Sequence, residues 1–271
     1  MKRLTELLVT AFLAVFFAGN VFASVILEGS TTVLPISQKA AEQYMNANPK
    51  ADITVRGGGS GVGINSLIAG TCDIADASRA MQDSEIATAK SKGVNPNEIV
   101  IAKDGIAVIV NNANTVTKLS KQQVKDIFTG KITNWKQVGG KDMQIVIIMR
   151  DSTSGTFECF NELALNKEKA VDNALVQASN QAVVTTVQKT PGAVGYAGIG
   201  YVSKDIKALT IQGVYPSAKT VLNGTYAYSR PLFMYTNGKP TGDVKSFVDF
   251  ILSKDGQKIV VEEGFIALPT K

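Results

Sequence analysis

The chain has 271 residues, enough for one large or two moderate domains, and with 45% hydrophobic and 19% charged residues it can bury a core. It contains no histidine and only two cysteines, which excludes Ser-His-Asp and Cys-His nucleophiles, His-ligated metals, four-thiolate zinc and a disulfide scaffold. The net charge of +5 is spread along the chain and favours an anionic partner only weakly.

Lys2 and Arg3 precede an apolar run at 7–18, shorter than the ~20 residues that span a bilayer. Val21 and Ala23 put small residues at cleavage positions, so 1–23 reads as a secretory signal peptide with Ser24 following it. The alternative is an uncleaved anchor. No cysteine follows the site, so no lipoprotein anchor is expected. Removing 1–23 takes away Lys2, Arg3 and Glu6 and leaves +5 − 2 + 1 = +4. In an oxidising compartment Cys72 and Cys159 either pair or are two buried small hydrophobes, and the sequence leaves this open.

Val- and Ile-rich runs bounded by Gly, Asn or Asp predict strands at 24–28, 52–56, 73–78, 98–103, 107–111, 144–150, 194–199, 207–211 and 225–235. Helical stripes lie between them. Ile36, Ala40, Ala41, Tyr44 and Met45 share one face, and Phe157, Phe160, Leu163 and Ala164 another. Val244, Phe247, Val248 and Ile251 form a third stripe, and Ser120-Lys121-Gln122-Gln123 is a capping box. Alternating strands and helices predict an α/β protein with parallel-type sheets, and the length favours two lobes. Ligands of such folds sit at the carboxyl ends of strands.

Three strand ends carry similar loops. Glu28-Gly29-Ser30-Thr31-Thr32, Gly57-Gly58-Gly59-Ser60-Gly61 and Asp151-Ser152-Thr153-Ser154-Gly155-Thr156 each open a helix. Helix N-termini offer free N–H groups and partial positive charge, glycine permits close approach, and hydroxyls add donors. Any one loop alone is an ordinary cap or turn. Three together, with Arg150 at a strand end, point to an oxyanion site. Arg150 could fork onto a phosphate-like group or pair with Asp151 at the surface. None is a Walker loop or a dinucleotide fingerprint. In Asp73-Ile74-Ala75-Asp76-Ala77-Ser78, an extended chain puts Asp76 and Ser78 on one face. Asp76 is then either a ligand contact or a local cap.

At these residues the chain resembles the phosphate-binding proteins of bacterial phosphate-specific ABC transporters, a periplasmic substrate-binding family. The resemblance covers nearly all of the chain after 23. It rests on Gly29-Ser30-Thr31-Thr32-Val33-Leu34-Pro35, Gly58-Gly59-Ser60-Gly61, Asp73-Ile74-Ala75, Ile127-Phe128-Thr129-Gly130-Lys131-Ile132-Thr133-Asn134-Trp135, Arg150 to Thr156, and Pro191-Gly192-Ala193-Val194-Gly195-Tyr196. It implies a type II two-lobe periplasmic-binding-protein-like fold with two crossing segments and the ligand in the interlobe cleft. Lobe one would be 24–106 plus 232–271, and lobe two 107–231. Thr31, Thr32 and Ser60 would hold phosphate oxygens from lobe one, with Ser30 beside them. Arg150, Ser154, Gly155 and Thr156 would hold them from lobe two. The family's proton-accepting carboxylate aligns with Ser78, and the nearest acid on that face is Asp76. The implied function is an exported, high-affinity, monomeric phosphate receptor in the periplasm that serves permease subunits at the inner membrane, without a cofactor or metal.

Two alternatives remain in view. One is a receptor for sulfate, molybdate or tungstate. The other is a secreted phosphoesterase, which would need a metal cluster or an activated serine. A nucleic-acid module is disfavoured, because basic residues are interspersed with acids and there is no basic-aromatic stripe.

Overall fold

The structure is a computed structural model that describes residues 24–269. The signal-peptide expectation falls on 1–23, outside the described residues. In chain order the first elements are β1 (Val25–Gly29), α1 (Leu34–Ala47), β2 (Ile53–Gly57), α2 (Ser60–Ala69), β3 (Ile74–Ala77), α3 (Asp83–Ser91) and β4 (Pro96–Asn111). The middle of the chain gives β5 (Lys118–Leu119), α4 (Lys121–Phe128), β6 (Val146–Arg150), α5 (Gly155–Leu163), β7 (Leu175–Gln177), α6 (Asn180–Lys189) and β8 (Ala193–Gly198). The last elements are β9 (Ile206–Ala208), β10 (Thr210–Ile211), α7 (Ala218–Leu222), β11 (Ser229–Asn237), α8 (Gly242–Leu252) and α9 (Lys254–Glu262). Among the described residues no helix is long and apolar enough to cross a membrane.

One sheet runs through the molecule in the order β2-β1-β3-β11-β4-β8-β6-β7, with β9 also on β4. β1 pairs in parallel with β2 and β3, and β6 in parallel with β7 and β8. The joint is β4. Its first part, Pro96 to Gly105, pairs with β11, and Ile106 to Val110 pair with β8. The sequence predicts two strands here, broken around Asp104-Gly105. The structure has one strand of 16 residues, because Asp104 is buried against an arginine of β11 and has no need to turn out to solvent.

The cores separate on either side of this joint. Leu27, Ile36, Ile74, Ile101, Leu232, Met234, Phe247 and Val260 pack together on one side. Ile106, Val108, Phe128, Trp135, Phe160, Tyr196, Tyr226 and Tyr228 pack on the other. The second core is aromatic: Phe160 stacks on Tyr196 with centroids 4.0 Å apart, and the Trp135 indole donates to Gly192 O at 2.9 Å. Truncating such a ring costs about 3–5 kcal/mol. The capping box at Ser120 forms as expected. Its hydroxyl accepts from Gln123 N at 3.0 Å and the Gln123 side chain accepts from Ser120 N at 2.8 Å. Cys72 sits in a lobe-one core and Cys159 on α5, and both are free thiols.

Candidate functional site

The helices α1, α2 and α5 all begin at the seam between the lobes. In the β1–α1 loop, Ser30 Oγ accepts from the N–H groups of Thr32 and Val33 at 3.1 and 3.4 Å, which ties the turn and leaves Thr31 and Thr32 facing the seam. Ser154 caps α5 by accepting from Phe157 N at 3.2 Å. The two loops that open α2 and α5 touch directly. Gly61 N donates to Thr153 O at 2.9 Å, and Thr153 Oγ1 donates to Gly58 O at 3.2 Å. Gly59, at φ +104°, permits this approach, since a Cβ there would come within 2.7 Å of Thr153 O. A Cβ on Gly155 would meet Ser60 Oγ at 2.3 Å and Ser78 Oγ at 2.9 Å. The lobes are therefore closed on each other.

Arg150 ends β6, and its N–H donates to the Tyr196 hydroxyl at 3.2 Å. Its guanidinium donates to Gln177 O and Ala178 O, both at 3.0 Å, and across the seam to Thr31 Oγ1 at 3.1 Å. Its side chain is 1% exposed and Asp151 lies 3.6 Å away, so Arg150 is a buried group and not half of a surface ion pair. Burial lowers this guanidinium from its ordinary value; Asp151 opposes that, and the like charge of Arg230 adds to it.

Arg230, at the start of β11, is buried as well. Its Nε and Nη2 donate to Asp104 Oδ2 at 3.0 and 2.8 Å, and Nη1 donates to Ser78 O at 3.0 Å. Nη2 also reaches Thr32 Oγ1 of one lobe and Thr156 Oγ1 of the other, at 3.1 and 3.0 Å. Burial pushes the Asp104 carboxyl up from the usual carboxylate range, and the Arg230 charge and the Ile199 N–H oppose it. Asn180 opens α6 and completes the ring, with Nδ2 donating to Thr31 Oγ1 and Thr32 Oγ1, each at 3.0 Å.

The structure thus brings together Thr31, Thr32, Ser60, Ser78, Arg150, Gly155 and Thr156, with Ser30 and Ser154 as the caps behind them. Asp76 stands apart. Its Oδ2 accepts from Ser37 Oγ at 2.7 Å, one turn into α1, while Oδ1 has no hydrogen-bond partner. Burial pushes this carboxyl up to about 7, against the Ser37 hydrogen bond. At the rim, Arg79 of lobe one is held by Glu85 at 2.7 Å and by Glu158 of α5 at 2.8 Å. Among the described residues no group of three His, Cys, Asp or Glu side chains could hold a metal ion.

A family model described as a PBP superfamily domain matches residues 19–255. The chain is 37% identical over 248 residues to the phosphate-binding protein PstS of Bacillus subtilis, covering 90% of this chain and 80% of that protein. This chain belongs to the phosphate-binding proteins of the PBP superfamily. PstS of Staphylococcus epidermidis is 36% identical over 260 residues, covering 90% of this chain and 78% of its own. Among solved structures, a phosphate ABC transporter substrate-binding protein of Clostridium perfringens with bound phosphate superposes with a TM-score of 0.85 at 36% identity, over 91% of this chain and all of that one (100%). An ABC-type phosphate transport receptor of Vibrio cholerae gives a TM-score of 0.73 at 34% identity, again over 91% and 100%. The type II two-lobe architecture is shared with this family of binding proteins.

Sequence reasoning missed Arg230, Asp104 and Asn180. A signal for the first two was present: Asp104, next to Lys103, and Arg230 each interrupt a long apolar run on a crossing segment. Such opposite charges are buried only as a pair. Asn180, at a helix start after Ser179, looks like any cap residue.

Proposed function

We propose that this member of the family is an exported receptor that closes its two lobes over inorganic phosphate and delivers it to an ABC-type permease. One observation carries the reading: two buried arginines, from lobe two and from a crossing strand, converge on one ring of hydroxyls that holds a single paired carboxylate. Arg150 and Arg230 repel each other there, and an anion between the lobes relieves that repulsion. Thr31, Thr32, Ser60 and Ser78 act from lobe one, Arg150, Asn180, Gly155 and Thr156 from lobe two, and Arg230 from the hinge. The first turns of α2 and α5 add N–H donors.

The receptor acts as a monomer in the periplasm after loss of residues 1–23, and it does no chemistry on its ligand. Support for the last point is local. Ser30, Ser60 and Ser154 bond backbone N–H groups, or in the case of Ser60 also Ser78, and none of these hydroxyls touches a Lys, Asp or Glu side chain. Calorimetry on phosphate-stripped protein with a panel of oxyanions tests the reading, together with small-angle scattering. Phosphate should bind and reduce the radius of gyration, and at 100 times its dissociation constant it should add about 2.7 kcal/mol of stability. Silence toward phosphate, or release of phosphate from a generic phosphoester, overturns it.

A further inference from the structure

The rim of the cleft carries a contact that takes no part in the anion ring. Arg79 of lobe one follows Ser78 directly, and its side chain is 7% exposed. Its two Nη atoms donate to the two carboxylate oxygens of Glu85 in the same lobe, each at 2.7 Å, and Nη1 also donates to Ala80 O at 3.0 Å. Its Nε lies 2.8 Å from Glu158 Oε2, an ion pair rather than a directed hydrogen bond. Gln82 of lobe one donates through Nε2 to that same oxygen at 2.6 Å. Glu158 stands in the first turn of α5, two residues after Thr156, so the helix that turns its N-terminus to the ring also carries this carboxylate. Apart from the hinge pair of Arg230 and Asp104, every other ion pair among the described residues stays within one lobe.

The two sides of this contact respond differently to opening. Glu85 holds Arg79 in place whether the cleft is open or shut, since both belong to lobe one. Gln82 is fixed as well, at the start of α3, where its N–H donates to Glu85 Oε2 at 2.8 Å. Lobe one thus keeps a preformed socket for a carboxylate, made of a guanidinium and an amide. Glu158 reaches it only when α5 swings in. With Arg79 7% and Glu158 23% exposed, the pair is neither a fully wet surface bridge nor a fully buried one. It works against the like charges of Arg150 and Arg230, which favour an open cleft.

We propose that Glu158, docked on the Arg79–Gln82 socket, is a latch that sets how much of the time the cleft is shut, and so tunes affinity without touching the ligand. The choice of ligand rests on the phosphate reading above; the latch belongs to the closed form whichever anion fills it. A receptor whose binding form is only partly populated has its affinity reduced by that fraction. Weakening the latch therefore costs every anion the same factor, whereas changing a ring residue alters one anion against another.

The chain carries its own reporter of opening. Cys159 Sγ donates across the seam to Ser78 O at 3.5 Å, so a shut cleft covers it, while Cys72 is buried in a lobe-one core. Wild type and Glu158→Gln are labelled with iodoacetamide in the absence of ligand, and each thiol is followed by mass spectrometry. Each Cys159 rate is divided by that of the same protein in urea, which removes the effect of the neighbouring charge on the thiol. Calorimetry then gives the affinities for phosphate and arsenate. A lost latch speeds Cys159 labelling where the free cleft is mostly shut and weakens binding where it is mostly open. The two factors multiply to the change in the closing equilibrium, expected to be about three- to tenfold, between an exposed ion pair and a charged hydrogen bond. Cys72 should keep its wild-type rate, and both anions should lose the same factor. A product of one, unequal losses for the two anions, or equally accelerated Cys72 overturns the latch. Wild-type protein that binds neither anion refutes the phosphate reading instead; the labelling arm needs no ligand, and an unchanged Cys159 rate there overturns the latch as well.

Discussion

Two arginines are buried in one cleft, and they are held in opposite ways. Arg230 lies on a carboxylate, with two bonds to Asp104 Oδ2 across the paired crossing strands. Arg150 lies on backbone carbonyls and a hydroxyl, with its nearest carboxylate 3.6 Å away. The first charge is neutralised by the fold and belongs to the hinge. The second has only the partly exposed Asp151 at 3.6 Å, and under the proposed function the rest of its counter-charge arrives with phosphate. Asp76 is the acidic counterpart of Arg150: buried, without a cation, one oxygen unpartnered. A carboxyl can shed its charge by taking a proton, and burial accordingly pushes it to about 7. A guanidinium has no such recourse at ordinary pH. Under the proposed function, poorly paired buried charge is thus resolved by a ligand in one place and by a proton in the other.

The largest effect should come from breaking the paired charge. Asp104→Ala leaves Arg230 buried without its carboxylate, and such losses cost about 3–5 kcal/mol. Urea unfolding of ligand-free protein should show it. A midpoint equal to wild type would mean that the pair is not part of the hinge's stability, and the contrast with Arg150 would disappear.

Asp76 comes next. Its carboxyl is held near 7 when folded but falls in the usual carboxylate range when unfolded, so between about pH 4 and 7 the folded state binds the proton more tightly. Stability from this group is therefore full below about pH 4 and is lost as pH rises to about 7, by on the order of 2–4 kcal/mol. Asp76→Asn cannot titrate, so its stability relative to wild type should climb from pH 5 to pH 8. Parallel profiles for the two proteins would show that Asp76 is not the isolated charge described above.

Arg150→Ala should do the reverse of Asp104→Ala. Loss of a charge-assisted bond costs about 1.5–3 kcal/mol, or roughly 10- to 150-fold in phosphate affinity. Ligand-free stability should stay the same or rise, because a buried charge with only a 3.6 Å pairing to Asp151 is gone. Wild-type affinity, or a loss of stability like that of Asp104→Ala, would erase the distinction between the two arginines.

What the sequence could and could not reveal follows the same division. Local signals were enough for the capping box at Ser120, the strand–loop–helix units at Thr31, Ser60 and Ser154, and Arg150 at its strand end. Each depends on neighbours within a few residues. The split at Asp104-Gly105 misled because a charge in an apolar run normally marks a break, and its partner is 126 positions away. Asp76 and Ser78 share a face only while the strand continues. β3 ends at Ala77, so Ser78 turns to Ser60 and the seam while Asp76 stays under α1. No periodicity rule contains the residue at which a strand stops.

The smallest effect concerns the bond that joins the lobes through hydroxyls alone. Thr32 belongs to lobe one and Thr156 to lobe two, and their oxygens are 2.9 Å apart with Arg230 Nη2 on both. This contact exists only when the cleft is shut, so Thr156→Ala should leave ligand-free stability within about 0.5 kcal/mol of wild type. Phosphate affinity should fall by about 0.5–1.5 kcal/mol, the range for a neutral hydrogen bond. The losses should also be coupled. Thr156→Ala removes the hydroxyl partner of Thr32, so a Thr32→Ala, Thr156→Ala cycle measured by calorimetry should give an interaction energy of about 0.5 kcal/mol or more. Strict additivity would show that each hydroxyl meets the ligand alone, and that Arg230 bridges the lobes without the threonines acting as a pair.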